Sequence, residues 1–388
     1  MRTGSRGSRL YLHPMTTVTT ANRPRRILAI IGTRPNFMKM APVIAELRQR
    51  PDEFDTVLVH TGQHYDRAMS QVFLEELGVA DPDYQLEVGS GSHAQQTARL
   101  MERLEPVLLE CGADLMLVPG DVNSTLAAAL VAAKLQVPVG HVEAGLRSFD
   151  RTMPEEVNRV VTDQLSDLLF THSPEAADHL IGEGIAGERI HYVGNTMIDT
   201  LIRLRERIDA ADAPRRLGLS DDTYVLVTLH RPALVDGPAL VDTVANLEAL
   251  SEALTVVFPV HPRTRKAMES LGLRFRSPRV AMLEPLAYLD FLSLVATATA
   301  VLTDSGGIQE ETTYLGIPCF TLRDNTERPV TVTVGTNTVL GKTPERIPEI
   351  PDLLARGREC PADVPPLWDG RAAERLVSVL TREMATVG

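Results

Sequence analysis

The chain has 388 residues, a formal net charge of −12, 44% apolar residues and 23% charged residues. At ~150 residues per domain this length accommodates two or three domains, each able to close its own core, and the composition excludes disorder over most of the chain. The acidic balance excludes a nucleic-acid or anionic-membrane scaffold, but not a small phosphorylated ligand held by a few local cations.

Residues 1–25 scatter Arg among Ser, Thr and Gly without an apolar stretch before a cleavage site. They are expected to form a flexible extension, with Met15 an alternative start and the cytoplasm the compartment. Short apolar runs then predict strands at 27–31, 56–59, 115–118, 139–142 and 168–171. They lack polar alternation, as parallel strands covered on both faces do. Helical patterns alternate with them at 37–48, 67–77, 92–111, 124–134, 155–165 and 174–181. After a helix at 197–208 a second series begins, with strands at 224–229, 255–258, 280–283, 301–303 and 319–322. Its helices are expected at 238–254, 288–296, 308–315 and 344–354, and a last helix at 370–384 follows the break at 361–366.

This rhythm predicts an α/β protein of two doubly wound, Rossmann-like units, 26–200 and 201–366, facing a central cleft, with 367–388 packing back on the first unit. No apolar run approaches the ~18 residues needed to cross a bilayer. Cys111, Cys319 and Cys360 are too few and too scattered for a disulfide framework or a zinc site.

Three motifs are decoys. Gly89-Ser-Gly-Ser-His-Ala94 matches a loose dinucleotide pattern but does not occupy the first βα turn, where such a fingerprint belongs. Gly341-Lys342-Thr343 lacks the properly spaced glycine of a phosphate loop. Asp81-Pro-Asp83 is the sole Asp-x-Asp and lies in a polar turn, so no metal site is expected.

The chemistry gathers at the carboxyl ends of the predicted strands, where open α/β sheets bind ligands. The first βα turn, Gly32 to Lys39, places Arg34 and Lys39 at a helix start, a position that repels cations unless an anion lies between. Asp121 follows the third strand; read blandly, it caps a helix. Glu143 ends the next strand, where a carboxylate needs a partner or a function, and Glu155 and Glu156 open a helix after Pro154. Converging acids of this kind supply a base on one face of a substrate and an acid on the other. In the second series His230 and His261 end successive strands, and Ser305-Gly306-Gly307 enters a helix with its N–H groups open, a seat for a diphosphate. Arg323 and Arg328 add cations after the next strand.

Taken in order, these motifs resemble the non-hydrolysing UDP-N-acetylglucosamine 2-epimerase family, of the glycosyltransferase-B-like group, over about residues 26–385. The resemblance rests on Gly32-Thr-Arg-Pro35 with Lys39, Thr61-Gly-Gln-His64, Gly120-Asp121, His141-Val-Glu-Ala-Gly-Leu-Arg147 and Pro154-Glu-Glu-Val-Asn-Arg159. It continues through Gly194-Asn-Thr196, Ile198-Asp199, His230-Arg231, Asp304-Ser-Gly-Gly-Ile-Gln-Glu-Glu311 and Thr326-Glu-Arg-Pro329. It implies a homodimeric, cofactor-free enzyme that inverts C2 of UDP-N-acetylglucosamine by eliminating and re-adding UDP, for cell-surface polysaccharide synthesis. On that resemblance Asp121, Glu143 and Glu155 are acid–base candidates and His230 assists the leaving diphosphate. Arg34, Lys39, Ser305, Gly306, Gly307 and Arg328 would hold phosphate, Glu311 ribose and Phe291 uracil. Alternatives are epimerisation of a related UDP-2-acetamido sugar, such as a 2,3-diacetamido uronate, and retaining glycosyl transfer. Asn36, Phe37-Met38, Gln63-His64-Tyr65-Asp66 and Pro232 depart from the family pattern, in part near where the family binds a second, activating substrate.

Overall fold

The computed structural model describes residues 23–62, 74–219, 223–235, 238–357 and 363–385. Its first unit runs β1 (Arg25–Ile31), α1 (Arg34–Arg48), β2 (Phe54–His60), β3 (Tyr84–Gln85), α2 (His93–Cys111), β4 (Leu115–Pro119), α3 (Asn123–Lys134), β5 (Val139–Val142), α4 (Pro154–Leu165), β6 (Leu168–Thr171), α5 (Pro174–Gly182), β7 (Ile190–Tyr192) and α6 (Thr196–Arg203). The second runs β8 (Tyr224–Thr228), α7 (Pro238–Leu250), β9 (Thr255–Pro259), α8 (Pro262–Ser270), β10 (Val280–Leu283), α9 (Tyr288–Thr297), β11 (Ala300–Thr303), α10 (Gly306–Leu315), β12 (Cys319–Thr321) and β13 (Asn337–Val339). The last long helix, α11 (Ala372–Ala385), contacts α1 of the first unit.

Both sheets are entirely parallel, in the orders β3-β2-β1-β4-β5-β6-β7 and β10-β9-β8-β11-β12-β13. This is the predicted α/β architecture of two doubly wound units. Each order reverses direction beside its first strand, the place where such sheets open a crevice for ligands. The central strands β1, β4, β8 and β11 are buried on both faces, which is why they read as unbroken apolar runs. One apolar cluster continues from Ile27 and Leu117 in the first unit through Met197 and Leu201 to Tyr224 and Val301 in the second. The units therefore share core.

Two details of α1 and α6 tie this junction together. Pro42 lies inside α1 and has no N–H to offer the carbonyl of Met38, four residues earlier. Thr200 of α6 takes the place of that donor, giving its hydroxyl to Met38 O at 2.6 Å. One residue before Thr200, the Asp199 carboxylate accepts the amides of Ala372 and Ala373 at 3.2 and 2.8 Å, so α6 also caps α11. The returning chain passes so close to Gly194 (φ +92°) that a Cβ there would meet Leu367 O at 2.1 Å. Beside it Trp368, buried, donates Nε1–H to His172 O at 2.9 Å.

Several expectations meet the structure differently. The short strands β3, β7 and β13 and the polar helix α8 were not legible in the pattern, and the single helix expected at 197–208 is broken after Arg203. Ser92 caps α2 with a capping box closed by Gln95, and the Asp83 carboxylate accepts the Leu58 amide at 2.8 Å, so two of the three decoy motifs have structural roles. Most of the extension at 1–25, most of the helix expected at 67–77, Gln63 to Asp66 and Cys360 lie outside the described residues. Among those described, no helix is long and apolar enough to cross a membrane.

Candidate active site

Strand ends of the first sheet bring the predicted acids together. After β5, Glu143 adopts φ +72°, a left-handed conformation uncommon for a side chain of its kind, while its own amide and that of Ala144 both donate to Phe170 O on β6. In that position its Oε2 pairs with the ammonium of Lys39, itself buried on α1. The turn after β4 lies against the same pair. A Cβ on Gly120 would stand 2.9 Å from Lys39 Nζ and 3.6 Å from Glu143 Oε2.

Asp121 is not the helix cap it resembled. Val122 occupies the N-cap position of α3 with no side-chain bond, and the Asp121 carboxylate instead accepts from Arg159 of α4. Its carbonyl accepts from Asn158 Nδ2 at 2.9 Å.

The adjacent Glu155 and Glu156 part company. Glu156 is 1% exposed and accepts from Ser148 N, Ser148 Oγ, Phe149 N and Arg159 Nη1, each at 2.9 Å. It holds the loop between Glu143 and α4. Glu155 is half-buried and its side chain makes no hydrogen bond among the described residues; its charge acts weakly on Arg231 of the second unit.

In the second unit Asp304 is the organising group. Its Oδ2 accepts the amides of His230 and Arg231 at 2.9 and 2.7 Å, and its Oδ1 lies 2.8 Å from His230 Nδ1. Burial alone would raise this carboxyl, but the His230 contacts and the two amides outweigh it and hold the group below the ordinary Asp range. With Nδ1 facing Asp304, the other nitrogen of the half-exposed His230 ring is left to act elsewhere. His261 serves its own helix. It caps α8, its Nδ1 accepting the Arg263 amide at 3.2 Å.

No side chain caps α10, so the N–H groups that open at Gly306 and Gly307 have no competitor from Ser305, whose own amide donates to Thr303 Oγ1 at 2.9 Å. Arg328 stands over this helix start; a Cβ on Gly306 would meet its Nη1 at 2.4 Å. The same guanidinium crosses the crevice to Glu143 Oε1 at 3.1 Å and places Nε 3.1 Å from Glu310 Oε1. Glu327, held by Arg323 through paired bonds of 2.7 and 2.8 Å, lies 3.7 Å from Arg328 Nη1.

The electrostatics follow from these contacts. Burial would push Glu143 up, yet Lys39 and Arg328 outweigh it and hold the carboxyl below the usual range. Burial opposes ionisation of Glu310 too, but Arg328 and His172 bring it down to about 2. Glu311 is buried and accepts from Tyr288 Oη at 2.8 Å, and Phe291, on the same helix as Tyr288, is half-buried against the core. Arg34 opens α1, its side chain lying outside the described residues, as does that of Pro232. Asn36 is buried and donates to Pro119 O at 3.1 Å.

Glu310, Arg159, Asp163 and His172 were missed from sequence. A signal existed for two of them: Glu156, Arg159 and Asp163 recur at helical spacing and form a buried, polar face of α4. Among the described residues no group of His, Cys, Asp and Glu side chains is arranged to hold a metal ion.

Between the two parallel sheets, buried Lys39, Arg159, Arg323 and Arg328 meet carboxylates of both units beside the open start of α10. A sequence profile described as UDP-N-acetylglucosamine 2-epimerase matches residues 45–381. The chain belongs to the UDP-N-acetylglucosamine 2-epimerase family. It is 41% identical over 368 residues to the UDP-N-acetylglucosamine 2-epimerase of Methanococcus maripaludis, covering 92% of this chain and 99% of that one. Identity is also 41%, over 363 residues with the same coverages, to the UDP-2,3-diacetamido-2,3-dideoxy-D-glucuronate 2-epimerase of Pseudomonas aeruginosa. Among solved structures, the Methanocaldococcus jannaschii UDP-GlcNAc 2-epimerase in complex with UDP-GlcNAc and UDP is similar with a TM-score of 0.85 and 39% identity. That similarity covers 92% of this chain and 99% of that epimerase.

Proposed function

We propose that this family member reversibly epimerises UDP-N-acetylglucosamine at C2 to UDP-N-acetylmannosamine, through elimination of UDP to a 2-acetamidoglucal and its re-addition. The observation that carries the reading is the meeting of Glu143 and Lys39 from one sheet edge with Arg328 from the other. This puts a buried acid–base group beside cations able to retain a departing diphosphate.

The chemistry explains the need for both. The C2 proton is not next to a carbonyl, so its removal must be coupled to loss of the anomeric substituent. A carboxylate takes the C2 proton, the C–H electron pair becomes the C1–C2 double bond, and the C1–O pair leaves on UDP. In return, a diphosphate oxygen adds to C1 while an acid delivers a proton to C2 on the opposite face. Glu143, ionised beside Lys39 and Arg328, is in the form that accepts a proton, and a diphosphate drawing those two cations away would raise its basicity. Asp121 and Glu155 supply the other proton-transfer candidates, and His230, oriented by Asp304, assists the diphosphate. Arg34, Lys39, Arg328 and the α10 start hold phosphate, Glu311 holds ribose and Phe291 packs on uracil. Shielding the glycal from water calls for closure of the crevice, and Asn325 already reaches Ser148 O across it at 2.8 Å.

Incubation with UDP-N-acetylglucosamine in deuterated water tests the mechanism: deuterium is expected at C2 of both epimers. Product without solvent label removes the elimination route. The match to the diacetamido-glucuronate 2-epimerase supports a second reading, in which the sugar carries a 3-acetamido group and a 6-carboxylate. NMR of the product from each UDP-sugar decides between them. The family resemblance further supports a homodimer acting in the cytoplasm on the way to cell-surface polysaccharide; light scattering checks the assembly.

A further inference from the structure

Below the two turns that carry Asp121 and Glu143 lies a buried pair not assigned to any step above. His141 on β5 and Asp163 on α4 are both 0% exposed. Asp163 Oδ1 lies 2.6 Å from His141 Nδ1, and the opposite ring nitrogen, Nε2, lies 2.7 Å from Gly120 O. The second oxygen of Asp163 accepts the Gly145 amide at 3.2 Å and lies 2.7 Å from Arg147 Nη1. Arg147 in turn grips Glu183 at 2.6 and 2.7 Å.

The donor count favours a charged ring. A neutral imidazole has one N–H and one bare nitrogen, whereas carboxylate and carbonyl oxygens only accept. With the Asp163 carboxylate, which also faces Arg147 at 2.7 Å, at Nδ1 and a carbonyl at Nε2, a neutral His141 would set a lone pair against a lone pair in a fully buried place. Charge agrees. Asp163 and Glu183 bring two negative charges against the single positive charge of Arg147, and a second positive charge on the ring balances the group.

Both candidate acid–base carboxylates hang from this pair. Gly120, whose carbonyl His141 holds, is bonded to Asp121 and turns at φ +64°. Gly145, whose amide Asp163 holds, follows Glu143 by two residues and turns at φ +80°, packed so tightly that a Cβ would meet Ala176 O at 2.3 Å. One carboxylate on α4 thus sets the relative position of two turns on neighbouring strands.

We infer that His141 is a buried imidazolium which, with Asp163, acts as a positioning pair holding Asp121 and Glu143 in register for proton transfer at opposite faces of the sugar. This rests on the reading of those two carboxylates as acid–base groups. Neither His141 nor Asp163 is a catalytic residue in this account. They act through the Gly120 carbonyl and the Gly145 amide, and a displacement of ~1 Å there costs about 10²-fold in rate.

The structural half is tested without any variant. Neutron diffraction from crystals of the perdeuterated wild-type protein is expected to show deuterons on both Nδ1 and Nε2 of His141; a bare ring nitrogen overturns the proposal. For the catalytic half, His141→Gln is expected to lower kcat by about 10–100-fold, leaving KM and UDP affinity within about 3-fold, because Arg328 and the α10 start, which hold phosphate together with Arg34 and Lys39, belong to the other unit. Unchanged kcat, or kcat and UDP affinity falling together, overturns it; if the variant does not fold, the same kinetic split is read from Asp163→Asn. Asp121→Asn and Glu143→Gln are measured alongside. Full activity in both overturns the acid–base assignment and the positioning role with it, while the neutron result, which depends on neither, reports on the His141 charge alone.

Discussion

Arg328 Nη2 lies 3.1 Å from Glu143 Oε1, although the two residues are 185 apart in the chain and belong to different units. The contact joins the two units across the candidate site. On the proposed reading it sets two demands on one guanidinium: to keep a buried carboxylate ionised, and to turn toward a diphosphate when one enters.

Glu143→Gln removes the charge and keeps the shape. Turnover is expected to fall by about 10²–10⁴-fold. UDP affinity should hold or rise, since Arg328 then has one carboxylate fewer competing for it. Calorimetric titration with UDP beside an NMR turnover assay separates the two effects, and near-normal turnover would remove Glu143 from the acid–base set.

Arg328→Ala leaves Glu143, Glu310 and Glu327 facing one another with a counter-ion lost. Removing one partner of a buried ion pair costs ~3–5 kcal/mol, so the unfolding midpoint should drop by several degrees, and UDP binding should weaken as well. Adding Glu310→Gln to that variant should restore part of the stability, which a double-mutant cycle reads directly. An unchanged midpoint in the single variant would contradict the network.

Asp304→Asn offers one oxygen where three groups now find two: the amides of His230 and Arg231 and the His230 ring. Loss of the ring's orientation is expected to cut kcat by on the order of 10²-fold or more, with a smaller effect on UDP affinity. A kcat equal to wild type would show that His230 needs no such support.

Two buried aspartates predict opposite responses to acid. Asp304 is held below its ordinary value, so the stability it contributes is present above the unfolded pKa and lost as pH falls through the lower, folded one. Asp199 is pushed up to about 6 by burial, against the pull of the Ala372 and Ala373 amides. Its native form binds a proton more readily than the unfolded chain, so its contribution is greatest below its unfolded pKa and is lost as pH rises through about 6. Urea unfolding from about pH 7 down to 4 should therefore favour wild type over Asp199→Asn progressively as the pH drops. A difference that does not change with pH over that range would rule out the raised carboxyl.

Much of the fold was legible because its signal is local. β5, β6 and β10 occupy the residues predicted for them: β6, buried throughout, is apolar up to Thr171, and β10, although a half-buried edge strand, is the unbroken apolar run Val-Ala-Met-Leu. The other edge strands are too short to leave a pattern: β3 is two residues long, β7 and β13 three each. The helix α8 was hidden for a related reason. Of its nine residues only Thr264 and Met268 are buried, too few to leave a period.

The amino-acid sequence alone determined the alternation of strand and helix, the acids and histidines at strand ends, and the open glycine turn before α10. Each of these depends on a residue and its neighbours along the chain. Tertiary structure decided which charges meet. It set Glu156, not Glu155, to hold a loop, turned Asp121 from a helix cap into a partner of Arg159, and brought Arg328 to Glu143. Those choices follow from strand order, which places β4, β5 and β6 side by side, and from the seating of the second sheet against the first. Burial then makes the pairing obligatory, because a charge removed from water must find its opposite within a few ångströms, wherever along the chain that opposite lies.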